Sequence, residues 1–153
     1  MDNIFIRPML ESDEAMINEF FDSMSGESRA FFNRGNSNRF SALKFCKEQN
    51  SDCRYFIAEL NGKMAGYVFL WDMNTSIPWL GIAVREELKG KHIGRALIAY
   101  VQDYAKQNSK GGIQLTTHLA NLRGQVLYET MGFERIGIHN LNSELYYLFR
   151  FKD

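Results

Sequence analysis

An α+β (α/β) fold built on a mixed sheet is predicted by three stretches of the sequence. Cys53 to Leu60 and Lys63 to Trp71 alternate as strands on either side of Asn61-Gly62, a two-residue hairpin signal. Trp79 to Val84 is a short apolar run that reads as a buried strand, and Ile93, Leu97, Val101 and Tyr104 follow it at helical spacing. After Gly111-Gly112 breaks that helix, Ile113 to Leu119 forms another apolar strand. A right-handed crossover places this strand parallel to the one ending at Val84.

The remaining elements follow in chain order. Ile4 to Met9 predicts a first strand, and Ser12 with Asp13 and Glu14 reads as an N-cap and acidic first turn. Ala15, Met16, Glu19, Phe20 and Met24 continue as a helix that Gly26 ends. Residues 28–49 are rich in Phe and Arg, turn-like around Gly35-Asn36-Ser37 and helical from Asn38 to Gln49. Their phenylalanines read as core and their arginines as solvated. The sharper reading is a lid over an acceptor site, with an arginine pairing a substrate carboxylate. Asn121 caps a helix through Met131, Gly132 stops it, and Phe133 to His139 and Glu144 to Phe151 are the last strands. The order is β-α-α-β-β-β-α-β-α-β-β, about seven strands and about four helices.

Composition narrows the function. At 153 residues the chain reads as a single domain, 1–153, long enough to bury a sizeable core. Lys plus Arg equals Asp plus Glu at 18 each, so no global field favours nucleic acid or an anionic membrane. Affinity for phosphate must therefore be local. Cys46 and Cys53 have neither Cys-x-x-Cys spacing nor a His cluster, which points to free thiols rather than a disulfide or metal site. No apolar run reaches membrane length and no signal peptide is evident, so a cytoplasmic protein is expected.

Two stretches carry chemistry. The first is Val84 to Leu97, where a strand enters a helix through a turn holding Lys89, Gly90, Lys91, His92, Ile93, Gly94 and Arg95. Such a turn aims free backbone N–H groups and the positive end of the helix dipole at one point, an arrangement that binds phosphate. Neither Gly-x-x-x-x-Gly-Lys-[Ser/Thr] nor Gly-x-Gly-x-x-Gly occurs. The second is Asn121 to Phe133, in which Asn121 sits at the helix start and Tyr128, two turns later, presents a phenol near the same side. Read alone, Asn121 is a capping residue and Tyr128 a core residue, and the basic turn is a solvated β-α connection.

Together the two stretches resemble the signatures of the GNAT superfamily of N-acyltransferases. On the pyrophosphate-loop pattern [Gln/Arg]-x-x-Gly-x-[Gly/Ala], Lys89 takes the first place, His92 the first glycine and Gly94 the second. The other signature, Asn-x-x-Ala-x-x-Leu-Tyr-x-x-x-Gly-Phe, is matched from Asn121 to Phe133 except that Gly124 replaces alanine. The resemblance implies the GNAT fold, with parallel strands splayed at the site of acetyl-CoA. Its pantetheine arm would pair with backbone at Ile82, Ala83 and Val84, and its diphosphate would lie on the N–H groups of Lys89 to Arg95, with Asn121 and Tyr128 adjoining. No metal is implied. Partners would be a small-molecule or peptide amine, not nucleic acid or a membrane, and the state monomer or homodimer.

Amine acylation then sets the mechanism. A primary amine of pKa about 10 must lose a proton before it attacks the thioester directly in a ternary complex. The departing thiolate, of pKa about 8.5, takes a proton from Tyr128 by resemblance. The base is left among His118, Asp72, Glu27 and water, His118 titrating in the useful range. The alternative is a non-catalytic acyl-CoA sensor, against which the retained Tyr128 argues.

Overall fold

Asn61 and Gly62 turn the chain with φ of 52° and 78°, both left-handed, and that turn sets the hairpin at the heart of the sheet. The computed structural model describes residues 3–24, 38–139 and 143–152. Seven strands, β1 (Phe5–Pro8), β2 (Cys53–Leu60), β3 (Lys63–Trp71), β4 (Trp79–Val84), β5 (Gly112–His118), β6 (Glu134–His139) and β7 (Glu144–Arg150), form one sheet. Their spatial order is β1-β2-β3-β4-β5-β7-β6. Among the described residues the helices are α1 (Glu14–Asp22), α2 (Arg39–Glu48), α3 (Ile93–Gln107) and α4 (Leu122–Thr130), with short 3-10 turns at Glu11–Asp13 and Glu86–Leu88. Strands and helices thus follow the expected order.

Alternation along the strands divides the core in two. Phe56, Ala58, Val68, Leu70, Leu80, Ile82, Ile113, Leu115, Leu145 and Tyr147 face α3 and α4, whose Leu97, Ile98, Val101 and Tyr128 pack on them. Tyr55, Ile57, Tyr67, Phe69 and Ala83 face the other way, against Ile17, Phe20 and Phe21 of α1 and Phe45 of α2. On that second face Tyr55 stacks between Phe45 and Phe69, with ring centroids 4.6 Å away on each side.

All neighbouring strands are antiparallel except β4 and β5, which are parallel as the crossover requires. They share one register pair, Trp79 with Gln114. Gln114 fixes it twice, donating its N–H to Pro78 O at 3.0 Å and its Nε2 to Ile77 O at 2.8 Å. Beyond that pair the strands part. Arg85 N–H bonds Ala65 O on β3, and main-chain direction alternates, so Ile82 and Val84 turn their main-chain groups toward the gap.

Two expectations near the N-terminus and in the Phe/Arg-rich stretch are revised. Ser12 is not the cap of α1; it lies inside the 3-10 turn, and Asp13 Oδ2 instead accepts the Leu10 N–H at 2.7 Å. The reason is long-range: Arg7 on β1 grips Asp13 at 2.8 and 2.9 Å and also reaches Glu59 on β2 at 3.1 Å. Asn38 caps α2 by accepting the Ser41 N–H, but Phe40 is 75% exposed and Arg39 pairs with Asp22. The Gly26 stop, Glu27 and the Gly35-Asn36-Ser37 turn lie outside the described residues.

Burial pushes the Asp13 carboxyl up, yet Arg7 and the Leu10 N–H outweigh it and hold it below the usual carboxylate range. A depressed folded pKa stabilises the chain above the unfolded value and loses that stability as pH falls through the folded one. Asp13→Asn is expected to cost about 3 kcal/mol at neutral pH, because the change leaves Arg7 half-paired. In urea melts from pH 7 to 3, the variant should also show a shallower acid decline than the wild type.

Candidate active site

Ile93, Leu97, Ile98, Val101 and Ala105 bury one side of α3 on the sheet, which fixes where its N-terminus points. Between that N-terminus, the C-terminal half of β4 and α4 lies a cleft of about 450 Å3. Ile82, Ala83 and Val84 line it from β4, and Lys89, Gly90, His92, Ile93, Gly94 and Arg95 line it from the turn. Asn121 and Tyr128 complete the set from α4. The structure therefore brings together every expected cofactor contact except Lys91, which is exposed and does not line the cleft. Leu88, Arg123, Gly124, Val126, Leu127 and Thr130 also line it and were not singled out from the sequence. On a helical wheel Arg123 and Val126 fall on the side of α4 away from Tyr128, so the face that carries Tyr128 gives no signal for them.

The turn offers fewer donors than its sequence suggests. The 3-10 turn Glu86–Leu88 takes the N–H of Lys89 onto Glu86 O at 3.2 Å and that of Lys91 onto Leu88 O at 3.3 Å. Among the described residues no acceptor takes the N–H groups of Gly90, His92, Ile93, Gly94 or Arg95. These donors, with the dipole of a 15-residue helix behind them, leave the rim of the cleft positive. Lys89, Arg95 and Arg123 add charge, and among the described residues no Asp or Glu lines the cleft.

His92 stands where the signature has glycine and adopts the conformation a glycine would, with φ 65° and ψ 14°. Its Cβ is accommodated because the residue is exposed. Gly94 serves a packing purpose as well, since a Cβ there would lie 2.9 Å from Leu127 Cδ2 on α4. Gly124, the other departure from the signature, is explained by Asn121. A Cβ at 124 would sit 2.5 Å from Asn121 Nδ2, because the Asn121 side chain folds over its own helix. Asn121 Oδ1 accepts the Gly124 N–H at 3.2 Å, and its Nδ2 donates to Thr117 Oγ1 at 3.0 Å. The amide thus caps α4, as the sequence suggests, and holds it to β5, while the residue also lines the cleft.

Tyr128 is 7% exposed and packs against Phe133 and Tyr147 at 6.1 and 5.9 Å between ring centroids. No described residue bonds its hydroxyl, yet among the described residues no fully buried side-chain oxygen or nitrogen lacks a partner. The hydroxyl therefore reaches the cleft surface. Burial pushes its pKa well above the ordinary phenol value, with a smaller contribution from Tyr147, so the group stays protonated. Tyr147 is itself held by Glu129, to which it donates at 2.6 Å, and by Arg135 Nε, which donates to it at 3.1 Å. Arg85 ties β4 to α1: buried, it forks onto Glu19 and donates to Met64 O at 2.8 Å from Nη2.

His118 and Asp72 do not line the cleft. His118 ends β5, and its Nδ1 accepts the Ala120 N–H at 3.0 Å. Asp72 is exposed in the turn after β3, its carbonyl accepting from Thr75. Among the described residues no group of three or more His, Cys, Asp or Glu could hold a metal ion, and no helix is long and apolar enough to cross a membrane.

Comparison with known proteins places this geometry. The pattern of the acetyltransferase (GNAT) family matches residues 15–133. The chain belongs to that family, a class of enzymes that transfer acetyl groups. Over 90 residues it is 26% identical to a Bacillus subtilis (strain 168) protein whose name provisionally assigns it alanine N-acetylation of ribosomal protein bS18. That match covers 59% of this chain and 60% of the relative. The fold resembles the GNAT domain of S. lividans PAT, with TM-score 0.86, 13% identity and coverage of 97% and 90% of the two chains. It also resembles PaiA N-acetyltransferase from Thermoplasma acidophilum in complex with coenzyme A, with TM-score 0.79, 18% identity and coverage of 97% and 99%.

The left-handed backbone at position 92 generates a prediction. His92→Val should destabilise the fold by about 1–2 kcal/mol, because a β-branched residue tolerates φ of 65° poorly. His92→Gly should not destabilise it. Thermal melts of the two variants beside the wild type check the pair.

Proposed function

We propose that this chain transfers an acetyl group from acetyl-CoA to a primary amine by direct attack in a ternary complex. The observation that carries the reading is the Tyr128 hydroxyl, held protonated, in the same cleft that the N–H donors of the α3 N-terminus line. Coenzyme A in the T. acidophilum structure, and the alanine acceptor in the name of the B. subtilis relative, support it. The cleft fits the ligand chemically. Donors at Gly90 and His92 to Arg95 suit a diphosphate, and Arg95 and Arg123 suit further phosphate. The main-chain groups of Ile82 and Val84 suit the amides of an extended arm.

In this reading Tyr128 supplies a proton to the departing thiolate, and the parted ends of β4 and β5 admit the amine to the thioester. The amine's proton leaves to water. His118, one of the side-chain candidates, already uses Nδ1 to accept from Ala120, and taking a proton there would break that bond. Holding both reactants beside each other provides much of the acceleration.

Acetyl-CoA should raise the melting temperature, and ATP or NAD should raise it far less; a ligand at 100 times its dissociation constant contributes about 2.7 kcal/mol. Gly94→Glu, which puts negative charge at the donor cluster, should abolish the CoA effect, whereas Gly94→Ala, which asks only that Leu127 shift, should keep most of it. Stabilisation by ATP equal to that by CoA would refute the assignment.

Tyr128→Phe keeps the ring contacts and removes the proton donor. Turnover, followed by thiol release with an amine panel, should fall by about 100-fold with the acetyl-CoA dissociation constant unchanged. Equal losses in rate and binding would make Tyr128 a contact for the cofactor and not an acid.

A further inference from the structure

The sheet has one stretch of face that no described helix packs closely. On the side of α1 and α2, those helices lie over β1 to β3, while β4, β5, β7 and β6 present Trp79, Gln114, Thr116, Glu144, Tyr146 and His139. All six are half-buried. Trp79, His139 and Tyr146 form a closed triangle of rings, with centroids 5.9, 6.0 and 6.0 Å apart. Trp71 extends it by stacking on Trp79 at 5.4 Å. The Tyr146 hydroxyl is anchored on Gln114 Oε1 at 2.7 Å, so the platform is fixed in place. Beside it Gly137 stands opposite Tyr146, and open space lies where its Cβ would be.

One carboxylate adjoins the rings. Glu144 faces His118 across β5 and His139 across β6, and its Oε2 accepts from Thr116 at 3.2 Å. Among the described residues no Lys or Arg pairs with it. The platform lies at Trp79, where β4 and β5 separate, on the face opposite the cofactor cleft. The next residue of β4 on that face is Gly81, which has no side chain to close the gap.

The geometry points to this face as the acceptor site, with Glu144 receiving a primary ammonium and the Trp79–His139–Tyr146 rings carrying an adjoining flat apolar group. Rings and a carboxylate together select a cation borne on a planar apolar body, and they disfavour carboxylate-bearing molecules and polyamines with no flat group. The inference rests on the acyl-transfer reading above and specifies its second substrate.

Trp71 and Trp79 are the only tryptophans of the chain, so the site carries its own reporter. Trp71→Phe leaves Trp79 as the single emitter. With CoA present, phenethylamine should change its emission saturably, while phenylacetate and spermidine should bind at least about 10-fold more weakly. In that background Glu144→Gln should raise the phenethylamine dissociation constant about 10-fold, and Glu144→Asp, which keeps the charge, should lose less. Melting temperatures confirm that each variant folds. A flat phenethylamine titration with CoA demonstrably bound overturns the proposal, as does an unchanged constant in Glu144→Gln. Failure of the acyl-transfer reading is seen separately, as absence of CoA stabilisation and of thiol release with any amine.

Discussion

Two parallel strands that meet at Trp79 and Gln114 and then diverge govern the rest of this molecule. A paired β4 and β5 would satisfy each other's main chain and close the sheet. Because they part, Ile82 and Val84 keep unspent hydrogen-bonding capacity, and the chain leaving β4 must turn into α3 beside an opening. The helix stripe that buries Leu97 and Val101 then fixes the direction of the α3 N-terminus. Everything in the cleft follows from that sequence of constraints: donors from the α3 N-terminus, backbone from β4 and a phenol from α4 line one opening.

The elements that could be read from the sequence are those whose causes are local. Asn61-Gly62 dictates its own turn, the apolar spacing of Ile93 to Tyr104 dictates a helix face, and Gly132, at φ 92°, stops α4 where expected. What escaped the sequence depends on partners far along the chain or on competition for one group. Asp13 is drawn from capping into the grip of Arg7, and Ser12 loses its role with it. Asn121 caps its helix as its position suggests, but its second bond, to Thr117 on β5, and the need for Gly124 beneath it come from the fold. Lys89 and Lys91 could offer their N–H groups until the 3-10 turn at Glu86–Leu88 claims both. A motif names the residues present, and the hydrogen-bond ledger decides which remain available.

Charge in this chain is partitioned rather than accumulated. With 18 cations against 18 anions the whole molecule is neutral. Yet among the described residues the cleft lining has Lys89, Arg95 and Arg123 and no acid, while the opposite face of the sheet sets Glu144 beside aromatic rings. The two sets of charges lie on opposite faces of the sheet.

Tyr128 has a consequence for how the chemistry responds to its surroundings. A phenol driven this far up by burial does not ionise anywhere near neutrality. On the proposed mechanism, an acid that never titrates in the working range contributes no falling limb to a pH–rate curve, and with water as the base no protein group contributes a rising one. The curve then belongs to the amine. An α-amino group, with pKa near 8, would bring the rise close to neutrality, and a lysine-like amine near 10 would push it two decades higher. On that mechanism, the alkalinity at which the protein works would be set by the molecule it modifies.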